Sequence, residues 1–215
     1  MKQFILTLTA CIFGVGLLRA DEVALIQLQV GREAKPRLVA LEFLEKEAPG
    51  HVESFKKLAR SGFYKGIAIH RSFPHLMLQM GDPLARKKDR SSVGTGGPEF
   101  TLAPEIRGKH VKGSISAARL PDKINPSRRS NGSQFFICLE RMPAYDGQYS
   151  VFGRILYGME SLDEISTLPV DSNDYPVERI EIRSIRILER DKLPAVPTAA
   201  EIESGKVSKP WWRFF

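Results

Sequence analysis

The 215-residue sequence predicts a mainly β fold: a closed eight-stranded antiparallel β-barrel capped by two α-helices. Three observations predict it. Short apolar runs with period-two alternation recur along most of the chain. Only two stretches carry the 3.6-residue period of an amphipathic helix, and strands and helices never alternate in the βαβ manner of a parallel sheet. Closure follows as an inference, because an antiparallel sheet that curls back on itself leaves no unpaired edge to template aggregation.

Val23 to Val30 is the first strand and Arg37 to Phe43 the second, with Gly31 to Pro36 as the hairpin turn between them. At Pro49 the period changes. Proline suits a first helical turn, and Val52, Phe55, Leu58 and Ala59 fall on one face before Ser61-Gly62 stops the helix. Gly66 to Arg71 and Leu76 to Gly81 read as strands joined through Phe73-Pro74-His75. Asp82 to Pro98 is loop and contains the glycine-rich Gly94-Thr95-Gly96-Gly97. A phosphate cradle needs a helix directly after such glycines, and no helical pattern follows. Strands resume at Gly113 to Ala118, Phe135 to Leu139 and Val151 to Leu156. A short helix is predicted over Met159 to Ser166, and Val177 to Ile187 is the last alternating strand.

Residues 1–20 read as a secretory leader: Met1-Lys2 gives the positive start, Phe4 to Leu18 the apolar run, and Ala20 a small residue before acidic Asp21-Glu22. The run is short for a membrane span. Leu8-Thr9-Ala10-Cys11 resembles a lipoprotein box, but the apolar run continues past the cysteine, which argues against lipidation. The expectation is export to the periplasm or the medium with cleavage after Ala20, a domain over 21–190, and a linker and cationic aromatic tail over 191–215. Cleavage removes Lys2 and Arg19, so the net charge of +7 becomes +5, which falls short of a dedicated nucleic-acid binder. It also removes Cys11 and leaves Cys138 as the one thiol, so neither disulfide stabilisation nor a zinc site is expected. Cys138 reads as a small buried hydrophobe, because a nucleophile needs an exposed, electropositive setting.

Ser130 to Gln134 is a polar turn that runs into Phe135-Phe136-Ile137-Cys138. A turn entering a core strand accounts for most of it. Gln134 is the exception, an amide with two donors and an acceptor placed at the mouth of an apolar strand. Gln134 and Phe136 are two apart and face one side of the sheet; Phe135, Ile137 and Cys138 are read as core.

Phe63-Tyr64-Lys65-Gly66, Ile69 to Pro74, Leu76 to Pro83, Gly94 to Pro98, Gly113 to Arg119, Asn131 to Cys138 and Asp146 to Arg154 follow one another in the order seen in cyclophilins. Over residues 22–188 the chain resembles the short bacterial type of these peptidyl-prolyl cis-trans isomerases. The resemblance implies an eight-stranded antiparallel barrel capped by two helices, proline-containing polypeptides as partners, and no cofactor. It implies that Arg71 is the catalytic arginine and that Gln79 positions it and the substrate carbonyl. Met77 and Phe136 match walls of the proline slot, and Leu76 stands where the family usually has Phe. Ala118, Arg119 and Gln134 match positions lining the substrate backbone groove. Tyr145 and Tyr149 stand at the rim in place of Leu and His. From the residues alone, an arginine such as Arg71 is more commonly half of a structural salt bridge. The chemistry agrees with a site of this kind, because an X-Pro bond crosses a barrier of roughly 20 kcal/mol set by amide resonance. Lowering it requires an apolar slot and a donor that favours the twisted amide, and no nucleophile or metal.

Ala144 stands where many cyclophilins carry Trp or His, and with Leu76 it thins the rim; each lost aromatic contact is worth about 1 kcal/mol. Weak cyclosporin binding is therefore expected. These departures keep a second reading open, a proline-peptide binding or chaperone module with weak catalysis. Two insertions flank the groove by the resemblance: Leu84 to Val93, with Arg86, Lys87, Lys88 and Arg90, and Leu120 to Ser130, with Lys123, Arg128 and Arg129. They read either as solvated loops or as contacts to acidic clients or an anionic surface. After Arg190 the chain turns to Pro194, Pro197 and Gly205, then to Lys209-Pro210-Trp211-Trp212-Arg213-Phe214-Phe215. That end reads as folding back on the domain, docking on a partner or entering a lipid headgroup layer. A monomer that binds no nucleic acid is expected.

Overall fold

β1 (Glu22–Val30) and β2 (Arg37–Phe43) form the expected hairpin, with Ala24, Ile26, Leu28, Val39 and Leu41 turned inward. In the computed structural model residues 21–193 are described; the expected leader at 1–20, and all but the first three residues of the linker and tail expected over 191–215, lie outside the described residues. α1 (Pro49–Arg60) opens with proline in its first turn, where the missing N–H has no helical partner to lose. β3 (Arg71–Phe73), β4 (Met77–Met80), β5 (Ser114–Ala117), β6 (Phe135–Cys138) and β7 (Val151–Tyr157) follow, then α2 (Met159–Ser166) and β8 (Ile180–Glu189). A 3-10 turn over Arg190–Lys192 ends the described chain, and Arg190 returns to pair with Asp21 and Glu42.

The strands form one antiparallel sheet in the order β3-β4-β6-β5-β7-β2-β1-β8. Eight antiparallel strands and two helices agree with the expectation; the closure is narrower than a full barrel ladder. The edges β3 and β8 meet only through the segment just before β3, where Gly66 N donates to Ile182 O (2.7 Å), Ile182 N to Ile67 O (2.8 Å) and Ile69 N to Ile180 O (2.8 Å). The sheet is thus a curled half-barrel with a short seam. The seam also explains why the strand expected over Gly66 to Arg71 divides. Its first part bonds β8, the chain turns a corner at His70, and its last residue opens β3 against β4.

Both helices bury their apolar faces in the same interior, through Val52, Phe55, Leu58 and Ala59 of α1 and Leu162 and Ile165 of α2. Phe55 is the hub. Its ring lies 5.2 Å from Tyr64, 5.5 Å from Phe135 and 5.5 Å from Phe152, mostly in tilted or edge-on geometry, which suits the ring quadrupoles. Burying each such side chain stabilises the fold by roughly 2–3 kcal/mol, enough for a chain without cross-links.

Candidate active site

Strand register assembles the site. Arg71 of β3 is paired with Gln79 of β4, and Gln79 with Phe136 of β6, so the three lie in one row across neighbouring strands. One step along, Phe73, Met77 and Cys138 form a second row. Both rows face away from the main interior and join a separate apolar cluster of Met77, Ala118, Phe136, Cys138 and Met142, flanked by Phe73, Tyr145 and Tyr149. Residues at 136 and 138 must share a face, so Cys138 belongs to the floor of this cluster and not to the interior with Phe135 and Ile137. Its reading as a buried hydrophobe stands: it is fully enclosed, and burial pushes the thiol up to about 12.

The slot is aromatic on one side. Tyr145 and Tyr149 meet the Phe136 ring edge-on at 5.7 and 5.5 Å, and lie 4.9 Å from each other. Behind them His110 stacks on Phe136 at 6.0 Å. Its Nδ1 and its backbone N–H both meet Asp146 Oδ1, at 3.1 and 2.8 Å. Burial lowers the His110 pKa, Asp146 opposing it only in part, so the ring is neutral at neutral pH. Asp146 is itself held well below the usual carboxylate range, chiefly by Arg141, with which it makes a short ion pair. Nothing in the sequence marks His110 and Asp146 as supports of the slot; they meet through a loop-to-loop contact.

Arg71 stands exposed at the edge, its guanidinium 4.6 Å from the Phe73 ring centre, with no carboxylate partner among the described residues. The salt-bridge alternative is therefore not realised here. Gln79 faces Arg71 across the strand pair but hydrogen-bonds elsewhere: its Nε2 donates to Gln134 Oε1 at 3.0 Å. Gln134 is buried, and its own Nε2 donates to Gly96 O (2.7 Å) and Gly94 O (3.0 Å). It holds Gln79 and offers no free donor to the groove. Arg119 is likewise engaged, packed on Tyr149 at 4.8 Å and bonded to Gln148 O, Leu120 O and Asp122. Leu76 and Ala144 are both exposed.

Past Gln79 and Ala118 the slot continues into a groove of about 310 Å³, whose far side is the second insertion with Leu120, Ile124 and Arg129. Leu120 and Ile124 are 54% and 68% exposed, an apolar lip on an otherwise polar loop. Most of the cations in the insertions are engaged. Arg128 and Arg119 share Asp122, and Arg129 bonds Thr101. Arg90 pairs with Asp171 and lies over Tyr175, and Arg86 donates to Lys65 O and Phe63 O.

Asp82, the first residue of the expected loop, is fully buried at the mouth of β4. It accepts from Leu84 N (2.7 Å), Gly94 N (2.5 Å) and Gly96 N (3.0 Å). This accounts for the glycine-rich turn: a Cβ on Gly96 would lie 2.2 Å from Asp82 Oδ1. The adjacent Pro83 in the first turn of a 3-10 segment was the available signal, an Asp cap followed by proline. A further cluster has the outline of a hydrolase triad, with Ser130 Oγ 2.9 Å from His51 Nε2 and Glu105 Oε2 2.6 Å from His51 Nδ1. Ser130 and His51 are buried, and the space beside His51 is about 10 Å³, too small for a substrate. The cluster fastens the 100–105 loop and Ser130 to α1.

The profile of the family described as cyclophilin type peptidyl-prolyl cis-trans isomerase/CLD matches residues 27–187. The chain is a cyclophilin. It is 40% identical over 133 residues to a probable peptidyl-prolyl cis-trans isomerase of Brucella abortus, covering 59% of this chain and 65% of that one. It is 35% identical over 151 residues to the peptidyl-prolyl cis-trans isomerase-like 3 protein of Gallus gallus, covering 69% and 89%. A cyclophilin type peptidyl-prolyl cis-trans isomerase of Cryptosporidium parvum, 27% identical, superposes with a TM-score of 0.66 over 79% of this chain and 98% of its own. The structure of that protein in the presence of the dipeptide Ala-Pro gives 0.64 at 26% identity, over 77% and 98%. This cyclophilin therefore belongs with the prolyl isomerases in family and fold.

Proposed function

We propose that this cyclophilin isomerises X-Pro bonds of extended polypeptides, with the proline ring held between Met77, Phe136 and Tyr145 and the twisted amide stabilised by Arg71. The row Arg71–Gln79–Phe136 carries this reading: it sets an unpaired guanidinium beside an apolar, water-poor slot. A hydrogen bond from a charged donor contributes about 1.5–3 kcal/mol, and one that strengthens as the amide loses planarity lowers the barrier by that amount, roughly 10- to 100-fold in rate. Gln79 supports the arginine from the next strand. The groove bounded by Leu120 and Ile124 receives the chain on one side of the proline and favours an apolar residue there.

The second reading, a peptide-holding module with weak catalysis, draws on Leu76 and Ala144, which leave the rim open. A protease-coupled isomerisation assay on an Ala-Pro peptide decides between them. A rate for the wild type well above background that falls in Arg71→Ala supports the enzyme, and no wild-type rate refutes it.

The clients are proposed to be exported proteins. The leader-like residues 1–20 support this, as does β1 pairing that begins at Glu22, next to the expected cut after Ala20. N-terminal sequencing of the protein from cell fractions tests it; a cytoplasmic product still starting at Met1 overturns it.

A further inference from the structure

We propose that Asp82 is a positioning residue of the isomerase site, deciding through Gln134 which way round the Gln79 amide sits. This rests on the reading of Gln79 as a site residue. The two ends of an amide side chain look alike in shape and differ in chemistry, one donating and one accepting, so their orientation is fixed by partners. Here the partners form a directed chain. Asp82 is fully buried and gathers the N–H groups of Gly94 and Gly96 onto one oxygen, Oδ2. That contact turns the Gly94 and Gly96 carbonyls toward Gln134. Carbonyl oxygens only accept, as does Asp82 Oδ2, which lies 3.4 Å from the same Gln134 Nε2. Gln134 must therefore aim its NH2 at the turn and its Oε1 at β4.

Gln79 then has one choice. Facing an acceptor at 3.0 Å, it presents Nε2 to Gln134. Its Oε1 and second N–H are left for Arg71 and the substrate: the oxygen can accept from the guanidinium, and the N–H can donate to a peptide carbonyl. With the amide reversed, both Gln134 and Arg71 would meet the wrong pole. Asn131 fastens the same turn from the other side, donating from Nδ2 to Gly96 O (2.9 Å) and accepting from Gln134 N (3.1 Å). The polarity of the site is thus written in a glycine-rich turn that lies behind Gln134.

Asp82→Asn tests it, because however the new amide turns, an NH2 faces a backbone N–H. The expected result is a fall in kcat of about tenfold, the effect of one ordinary hydrogen bond, with KM little changed. Because Asp82 and Gln134 act in series, Asp82→Asn combined with Gln134→Ala is expected to be no slower than the worse single variant. In the 15N–1H spectrum of the full chain, the side-chain amide signals of Gln79 and Gln134 should move toward free glutamine in Asp82→Asn. They should stay in place in Ile180→Val, a core variant that lowers only stability. A kcat unchanged in folded Asp82→Asn, losses that multiply in the double variant, or unmoved Gln79 signals would each overturn the proposal. Should the wild type show no isomerase rate, the proposed function fails while the amide signals still decide the relay.

Discussion

Phe135 and Phe136 are neighbours in sequence, identical in type and almost equally buried, yet they belong to different parts of the molecule. Phe135 is enclosed by Phe55, Tyr64 and Phe152, with the helices closing the interior over it. Phe136 is enclosed by His110, Tyr145 and Tyr149, and its open side looks along a row to Gln79 and Arg71. Burial does not distinguish a core from a binding wall; the polar groups within reach do.

The sharpest way to break this contrast is to truncate its interior half. Phe135→Ala should cost about 3–5 kcal/mol of stability, measured by denaturant unfolding, while the surviving folded fraction keeps its catalytic rate. Equal stability loss without any retained rate would show that the two faces are one unit.

Acid provides the next test. Burial lowers the His70 pKa from 6.5 to about 4, and neither ring nitrogen finds a hydrogen bond of ordinary geometry, although Gln134 and the Ala68 backbone are near enough to oppose the shift weakly. Because the folded value lies below the unfolded one, the stability is complete above pH 6.5 and is lost as the pH falls toward 4, by about 3 kcal/mol. His51 and His110, also lowered by burial, act in the same direction. Unfolding measured at pH 7 and pH 4.5 should show the loss, and His70→Gln should reduce it. Arg71→Ala removes a neighbouring charge that helps to hold the His70 pKa down, so it should slightly reduce the acid loss, while lowering kcat/KM roughly 10- to 100-fold.

Two smaller effects probe the rim. Ala144→Trp should tighten cyclosporin about fivefold, one aromatic contact's worth, read by titration; no change would mean that the rim is thin for another reason. With the insertion arginines engaged, Lys87, Lys88 and Lys123 remain for acidic clients. Acidic test peptides should exceed basic ones in rate by only about two- to threefold at low salt, and by less at high salt.

What was legible in the sequence follows from range. α1 and α2 could be read to their ends because proline placement and helical period are local signals. β3 could not, because Gly66 to Phe73 divides its hydrogen bonds between the distant β8 and the neighbouring β4, which alternation cannot register. Arg71, Met77, Gln79 and Phe136 come together as the motif order implied. Gln134 and Arg119 lie at the site with their polar groups engaged, Gln134 by Gln79 and the glycine-rich turn and Arg119 by Asp122 and nearby carbonyls. Cys138 was legible and misread: the alternation that pairs Gln134 with Phe136 places residue 138 on their side.

The Asp82 carboxylate receives Leu84 N, the first residue of the basic insertion, and Gly94 N, the residue just after it, at 2.7 and 2.5 Å. A loop gathered at its base by one side chain is a side branch of the chain. Residues can be added or removed between those ends while the span they bridge stays fixed, and each doubling of length costs only about 0.6 kcal/mol in closure entropy. Such a clasp lets surface sequence drift in length and charge beside a site whose atoms must not move, which makes this loop the natural place for graft or tag insertion in this protein.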